Sequence, residues 1–293
     1  MPPHIPTAPR PLRGVFFMLA AMAMLPLIDV MAKLLGQQGV PILQIVWARL
    51  AFGTILTLPF AWRLAGPRGL IPARPGYHAL RAAFLIAATF FFFLSLTFLP
   101  IADALAIFFV QPLVVTLLSP WFLGEKVGPR RWTAVLIGFI GMLIIIRPGL
   151  AEVNPGSLLA LASGTCLAIY FVMTRRISGQ ADAMVTTFHT NAMGTLILSG
   201  VVGFLWLPPT PAQWLMMGAL GAIATFGHYL IVLAYDHAEA SLLAPLAYTE
   251  IITATLLGWM VFGDLPDRWT VLGVSILIAC AIYISVRERK ARA

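Results

Sequence analysis

The stretch "AATFFFFLSLTFLPIADA" (87–104) returns later in the chain, without a gap, as "IATFGHYLIVLAYDHAEA" (223–240). Six positions are identical: Ala88, Thr89, Phe90, Leu94, Ala102 and Ala104 recur as Ala224, Thr225, Phe226, Leu230, Ala238 and Ala240. Self-similarity at this separation indicates a duplicated structural unit. The sequence is therefore expected to contain two copies of one fold.

Shorter matches extend the duplication on both sides of this stretch. "FLGEKVGPRRWT" (122–133) returns in shortened form as "FGDLPDRWT" (262–270), and "VMAK" (30–33) returns as "VMTR" (172–175). These matches predict a first repeat and a second repeat, with a short cytoplasmic tail at each end of the chain. The predicted bounds are 1–13 for the first tail, 14–150 and 151–287 for the repeats, and 288–293 for the second tail.

The composition places the chain in a lipid bilayer. Of its 293 residues, 60% are hydrophobic and 10% are charged, and the mean hydropathy is +0.92. A soluble domain carries about 25% charged residues, so this chain could not cover a water-facing surface. A membrane span needs about 20 apolar residues. Ten such spans are predicted, at 15–35, 41–62, 80–99, 102–122, 131–146, 156–174, 184–206, 213–234, 241–262 and 269–286.

The number of spans in each repeat sets the symmetry of the fold. Each repeat holds five spans, and a second repeat that follows five crossings enters the membrane in the opposite orientation. We therefore predict an all-α integral membrane protein of ten transmembrane helices, built as two inverted five-helix repeats. Secondary transporters of this kind place the substrate near the midplane between the repeats and work by alternating access.

The basic residues predict the orientation in the membrane. With the N-terminus in the cytoplasm, fifteen Lys and Arg residues fall on inner segments and three on outer ends. This bias follows the positive-inside rule, so we expect a multi-pass protein of a bacterial plasma (inner) membrane with both termini cytoplasmic. The outer residues are Lys33, Arg147 and Arg268. The inner residues are Arg10, Arg13, Arg63, Arg68, Arg74, Arg81, Lys126, Arg130, Arg131, Arg175, Arg176, Arg287, Arg289, Lys290 and Arg292.

A Gly-Glu or Gly-Asp step ends the fourth span of each repeat, in "FLGEK" (122–126) and "VFGDL" (261–265). With the duplicated ten-span plan, these steps resemble the EamA-type exporters of the drug/metabolite transporter superfamily. The resemblance covers nearly the whole chain, although Asp264 stands where the family usually has Glu. It implies a carrier that exports small metabolites, often amino acids, without an ATPase of its own.

Two polar residues occupy equivalent positions in the fourth span of each repeat. Gln111 lies 14 residues before Glu125, and Glu250 lies 14 residues before Asp264. Each falls about nine residues into its span, roughly 13 Å at 1.5 Å per residue, which is near the midplane. We predict that both line the substrate cavity, where Glu250 would meet a substrate amine or a proton. The alternative is a protonated Glu250 that is hydrogen-bonded to a neighbouring helix.

Prolines near these positions predict local helix bends. Proline removes a backbone hydrogen bond and can bend a membrane helix. The predicted bends lie at Pro26, Pro112 and Pro245.

A second polar pair is predicted in the first two spans. Asp29 and Arg49 are each ten residues from the turn near Gly39, so they should lie at similar depth. Opposite charges in a bilayer favour pairing. The two residues either form a structural ion pair or lie in a solvated outer vestibule, or they act in gating or in binding a substrate carboxylate.

Further cavity residues are predicted from helical spacing and from the repeat. Polar and aromatic side chains near the midplane suit a cargo with an apolar or aromatic group, although most membrane aromatics pack against other helices. These candidates are Ser163, Tyr170 and Thr174 in span 6, Thr89 and Phe93 in span 3, His228 and Tyr229 in span 8, and Tyr248 in span 9.

Export of amino acids, including hydrophobic and aromatic ones, is the predicted function, with protons as a candidate coupling ion. We expect a monomer with a small-molecule substrate, the lipid bilayer around it, no nucleic-acid partner, no cofactor and no metal site. A nucleotide-sugar carrier is the first alternative, but its phosphates would need several basic residues at the midplane. An intramembrane enzyme is a distant alternative, because the chain has no H-E-x-x-H motif and no serine nucleophile elbow.

Overall fold

The computed structural model describes residues 11–124, 128–146, 154–177, 181–237 and 248–292, together with Leu243 and Leu246. The predicted bend at Pro245 and most of the predicted N-terminal tail lie outside these residues.

The described residues form twelve α-helices and one 3₁₀ turn, numbered here in chain order. They are α1 Pro11–Met24, α2 Pro26–Gln37, α3 Ile42–Gly69, α4 Pro75–Ser95, α5 Ile101–Phe108, α6 Gln111–Leu123, α7 Pro129–Ile146, α8 Pro155–Arg176, α9 Ala183–Val202, the 3₁₀ turn Gly203–Leu205, α10 Pro211–His237, α11 Thr249–Phe262 and α12 Arg268–Arg292.

These helices occupy the ten predicted spans. Seven helical stretches are long and apolar enough to cross a membrane, and three shorter apolar stretches lie in spans 5, 9 and 10. Spans 1 and 4 are each divided into two helices, α1 with α2 and α5 with α6. The prediction of an all-α membrane fold is confirmed.

The two divided spans break beside a proline. Helix α1 ends at Met24 and α2 begins at Pro26, whereas α5 ends at Phe108 and α6 begins at Gln111, one residue before Pro112. Proline has no N–H to donate to the preceding turn, and it is tolerated at the start of a helix for the same reason. Each break therefore ends one helix and starts another within the thickness of the membrane.

The helix contacts follow the duplication. Helices α3 and α9 pack together, as do α7 with α12 and α5 with α11, and each of these pairs joins a span to its equivalent in the other repeat. Helix α1 packs on α10, and α8 packs on α4, which is the same pairing with the two repeats exchanged. A two-fold relation between the halves produces this pattern, so the bundle is held together mainly across the repeats.

The α5–α6 break is held against α8 by a close approach of backbones. A Cβ atom added at Gly164 of α8 would lie 2.5 Å from the carbonyl oxygen of Phe108. Glycine is the residue that fits such a contact, because small residues let membrane helices approach closely. This contact positions the aromatic and polar residues that follow the break.

One predicted boundary is wrong, and the error matters for the site. Helix α4 begins at Pro75 rather than near residue 80, so it contains His78 in addition to Arg81, which lay at the edge of the predicted span. Arg81, which the positive-inside analysis assigned to an inner segment, is fully buried inside the bundle. A proline in the first turn starts this helix early, before the apolar run that marks the span in the sequence.

Candidate functional site

A cavity of about 750 Å³ lies between the two halves of the bundle. This volume is within the range of about 300–1,000 Å³ for small-molecule sites. Ten of the predicted functional residues are on its wall: Asp29, Arg49, Thr89, Phe93, Gln111, Pro112, Tyr170, His228, Tyr248 and Glu250. The walls come from both repeats, so the cavity changes shape if the halves move relative to each other.

Two carboxylates reach this cavity from different repeats. Asp29 lies in the first turn of α2, directly after the Pro26 break, and Glu250 lies in the first turn of α11. The N-terminal end of a helix carries a partial positive charge that stabilises an anion in its first turn. No described residue makes an ion pair or a hydrogen bond with either carboxylate. Both are therefore available to a cation in the cavity.

The repeat-equivalent residue of Glu250 lies in an equivalent setting. Gln111 is the first residue of α6, and Glu250 is the second residue of α11. Both side chains are partly exposed on the cavity wall. The two halves thus present a neutral amide and a carboxylic acid at related positions, and only the second half can contribute a charge there.

Arg49 is the one permanent cation among the described residues of the wall. Its Nη1 donates a 2.5 Å hydrogen bond to the Thr89 hydroxyl. The predicted Asp29–Arg49 ion pair is corrected, because the two groups do not approach within 4.0 Å. Thr89 holds the guanidinium instead, so the opposite charges share the cavity without neutralising each other by direct contact.

Aromatic rings form much of the remaining wall. The rings of Phe109 and Tyr248 are stacked, with centroids 4.9 Å apart and an interplanar angle of 30°. Phe92 and Phe108 lie 4.9 Å apart at 54°. Aromatic faces can hold an apolar or aromatic ligand group and can attract a cation. The cavity is therefore suited to a cargo that combines charge with a flat or apolar part.

His228 faces the cavity from α10. Its Nδ1 lies 2.8 Å from the Ala224 carbonyl oxygen, which can only accept a hydrogen bond. This contact assigns the ring proton to Nδ1. The other ring nitrogen, Nε2, is left as an acceptor in the neutral imidazole.

Three predicted cavity residues are not on the wall. The hydroxyl of Ser163 donates to the Ala88 carbonyl at 2.6 Å, and that of Thr174 donates to the Tyr170 carbonyl at 2.7 Å. Tyr229 is 41% exposed on another face of α10. The structure does not place these three residues on the cavity wall, and the polar atoms of Ser163 and Thr174 are bonded to backbone carbonyls instead.

Helix α9 supplies wall residues that the sequence reading missed, namely Thr187, Thr190 and Asn191. They belong to the run "TTFHTN" (186–191), which is polar within an otherwise apolar span. Polar residues inside a membrane span usually face the protein interior. That run was the signal that could have identified them.

A smaller cavity of about 410 Å³ lies at one end of the bundle, here called the Lys33 end. Phe93 is the one described residue that lines both this cavity and the central one, and its side chain is 5% exposed. Phe93 therefore separates the two spaces.

An ion pair closes the wall of this smaller cavity. Nζ of Lys33, on α2, lies 2.9 Å from a carboxylate oxygen of Asp264, which follows α11. The same Nζ lies 4.6 Å from the centre of the Phe262 ring, a cation–π distance. Among the described residues this is the only ion pair within 4.0 Å, and it joins the two repeats.

Comparison with known proteins agrees with this architecture. The chain is 24% identical over 279 residues to the S-adenosylmethionine uptake transporter of Rickettsia prowazekii, covering 95% of this chain and 94% of that protein. It is 28% identical over 289 residues to the riboflavin transporter of Vibrio cholerae, covering 96% and 95%. It is 26% identical over 248 residues to the pseudopaline exporter of Pseudomonas aeruginosa, covering 82% and 85%.

A solved crystal structure shares the fold, with a TM-score of 0.65 at 21% identity, and the match covers 96% of this chain and 98% of the other. The model of the EamA-like transporter family matches twice, at residues 12–147 and 154–286. The chain is thus a multi-pass membrane protein that belongs to the EamA-like transporter family.

Proposed function

We propose that this protein is a secondary transporter that exports amino acids and related zwitterionic metabolites, including hydrophobic and aromatic ones, across a bacterial inner membrane. The observation that carries this proposal is that Asp29 and Glu250, which have no ion-pair partner among the described residues, line the same aromatic cavity as Arg49. A substrate amine would bind the carboxylates, and a substrate carboxylate would bind the arginine. An apolar side chain would lie against the Phe109–Tyr248 stack.

The transport mechanism that we propose is alternating access between the two repeats. At the Lys33 end, Phe93 and the Lys33–Asp264 ion pair block the central cavity. Toward the opposite end, the cavity extends to Met18 on α1 and Thr187 on α9. The positive-inside bias makes the Lys33 end periplasmic and both termini cytoplasmic. In this arrangement the cavity faces the cytoplasm, where an exporter collects its cargo.

Proton coupling is part of the proposal. Asp29 and Glu250 are the acidic residues of the cavity wall that could exchange a proton for a cationic cargo group. A bound amine and a bound proton would then exclude each other, which couples their movements in opposite directions.

A larger cargo is the second candidate, because the cavity of about 750 Å³ exceeds what a single amino acid needs. Relatives named for S-adenosylmethionine and riboflavin suggest a cargo with a flat heteroaromatic ring. S-Adenosylmethionine combines an amino-acid group, a sulfonium cation and an adenine, and these would suit the two carboxylates and the aromatic stack. A nucleotide sugar fits less well, since a diphosphate would have only Arg49 among the described wall cations.

Transport into proteoliposomes tests the proposal. The purified protein would be reconstituted and supplied with radiolabelled amino acids, S-adenosylmethionine, riboflavin and a nucleotide sugar, each with and without a pH gradient. Saturable uptake of phenylalanine or leucine that responds to the gradient is the expected result. Movement of S-adenosylmethionine alone would favour the second candidate, and movement of the nucleotide sugar alone would contradict both.

A further inference from the structure

Arg81 is a cation buried beside the central cavity, on the second turn of α4. Its side chain is 0% exposed. One terminal nitrogen, Nη2, donates to the Thr186 carbonyl at 2.9 Å and to the Thr190 hydroxyl. The same nitrogen lies 3.5 Å from Nδ1 of His78. Only one of the three guanidinium nitrogens is thus engaged.

The other two nitrogens, Nε and Nη1, are buried and have no hydrogen-bond partner among the described residues. No carboxylate among the described residues lies within 4.0 Å of the guanidinium. Its described neighbours are neutral hydroxyls, carbonyls and rings, so no negative charge among them neutralises the guanidinium. A buried charge without a partner is strongly destabilising, and an arginine cannot escape by losing its proton. An unpartnered group of this kind calls for a bound ion or water.

Arg81 lies directly behind the cavity wall. Two of its contacts, Thr190 and Tyr170, line the central cavity. The Tyr170 ring centre is 5.7 Å from the guanidinium carbon. A rotation of one or both side chains would open the guanidinium to the cavity, on the side away from the Lys33 end.

The charges around the cavity leave Arg81 available to an anion. The described wall carries two carboxylates, Asp29 and Glu250, and one arginine, Arg49, so its formal charge is −1, and Arg81 behind the wall brings the sum to zero. Arg49 lines the same cavity as the carboxylates and already donates to Thr89. No described acidic residue lies within 4.0 Å of Arg81, and its buried Nη1 has no hydrogen-bond acceptor among the described residues, so this nitrogen can donate to one anion.

We propose that Arg81 is an anion-binding residue, which takes a small monovalent anion through its unpartnered Nη1, behind Thr190 and Tyr170. The anion is either the carboxylate of the cargo or a free anion such as chloride that enters with it. The first source rests on the proposed export of zwitterions, whereas the second does not depend on which cargo is moved.

The first experiment measures anion binding without transport. The full chain in detergent would be heated in sodium gluconate, with chloride or acetate replacing gluconate at constant ionic strength. The melting temperature of the wild type should rise saturably with chloride or acetate. Arg81→Gln should weaken the apparent affinity at least about tenfold, as expected when a contact worth about 1.4 kcal/mol is lost. Arg176→Gln, which changes an exposed arginine at the end of α8, should leave it unchanged.

Two further variants keep this test decisive if Arg81→Gln does not fold. Arg81→Lys keeps the charge but replaces the planar guanidinium and its fixed donors with a single ammonium, so it should retain a weaker anion response. Thr190→Val removes a hydroxyl that Arg81 contacts but leaves Nε and Nη1 in place, so saturable stabilisation should persist. Equal stabilisation of the wild type and Arg81→Lys, or no stabilisation of the wild type by either anion, would overturn the proposal.

The second experiment identifies the source of the anion in proteoliposomes. Radiolabelled phenylalanine would be compared with phenethylamine, which lacks the carboxylate, in chloride and in gluconate. If the cargo supplies the anion, Arg81→Gln raises the KM for phenylalanine about tenfold, the same loss of about 1.4 kcal/mol, and leaves that for phenethylamine unchanged. If chloride supplies it, wild-type transport of both depends on chloride and the variant loses that dependence. Should phenylalanine not move at all, the proposed function fails while the melting experiment still decides the role of Arg81.

Discussion

The central cavity and the Lys33 end both bring charges of the two repeats together, but they do so differently. At the Lys33 end, the ammonium of Lys33 contacts the carboxylate of Asp264 at 2.9 Å. In the cavity, Asp29, Arg49 and Glu250 share one wall, and neither carboxylate makes an ion pair with another residue that the structure describes. Charges that are already paired can hold two surfaces together. Charges that lack a partner remain free to bind a cargo, so the two regions are suited to closure and to recognition respectively.

Among the variants of cavity residues, Glu250→Gln should lower the transport rate the most. The amide keeps the size of the side chain but can neither hold a cation nor release a proton. A hydrogen bond to a charged group is worth about 1.5–3 kcal/mol, so export of a cationic or zwitterionic cargo should fall about 10–100-fold. Initial rates in proteoliposomes, measured across a pH gradient, provide the test.

The matched control for Glu250 is its equivalent in the first repeat. Gln111→Asn keeps a neutral amide at the start of α6 and should lower the rate far less. If Glu250→Gln transports at the wild-type rate with the same pH response, Glu250 is a packing residue. The proposed role of Glu250 in cargo binding and proton coupling would then be wrong.

Some cavity residues could be predicted from the sequence repeat, whereas helical spacing alone did not identify others. Glu250 and Gln111 were found because the duplication aligns them and five spans per repeat bring equivalent depths together. Ser163 and Thr174 were predicted from helical spacing alone, and their hydroxyls donate to backbone carbonyls away from the cavity wall. In a span that is apolar all round, helical period does not show which face turns inward.

The sequence also did not reveal which charged side chains contact each other or which of them are buried. Asp29 and Arg49 were correctly expected on neighbouring spans, yet Thr89 on α4 receives the guanidinium donor. Arg81 was counted with the inner charges because it lies at the edge of the predicted span 80–99, yet it is buried against α9. Both outcomes depend on contacts with another helix, which no local sequence pattern reveals.

Exchanging charges would test whether Asp29 and Arg49 are independent. Asp29→Asn and Arg49→Gln should each lower transport about tenfold, as expected for the loss of about 1.4 kcal/mol. The double reversal, Asp29→Arg with Arg49→Asp, should not restore it, because the two groups make no direct contact and Thr89 holds the arginine. Recovery of transport in the double variant would show that they act as one pair, against the distinction drawn between the two regions.

Loss of an aromatic ring from the cavity should raise KM by a smaller factor, and alanine serves as the control cargo. Tyr248→Ala removes one ring of the stack with Phe109. Aromatic pairs contribute about 0.5–1.5 kcal/mol beyond their burial, so the KM for phenylalanine should rise roughly 2–10-fold. The KM for alanine should change less, because its side chain has no ring to stack. Tyr229→Ala, on a face outside the cavity, should alter neither value. Equal effects of the two tyrosine variants on KM would show that the Phe109–Tyr248 stack does not bind the cargo.

The Lys33 end should give the smallest effect and the clearest contrast. Its ion pair is partly exposed, with 13% and 32% of the two side chains accessible. Such pairs are worth about 0.2–1 kcal/mol, so Lys33→Asp or Asp264→Lys alone should change transport less than about tenfold. Here the double exchange should restore the wild-type rate, because the contact is direct and has no third polar partner among the described residues.

A bifunctional reagent that links cysteines placed at 33 and 264 should stop transport, and reduction of the link should restore it. If the linked protein still transports, the pair does not separate during the cycle. The Lys33 end would then be a fixed contact between the repeats that does not open during transport.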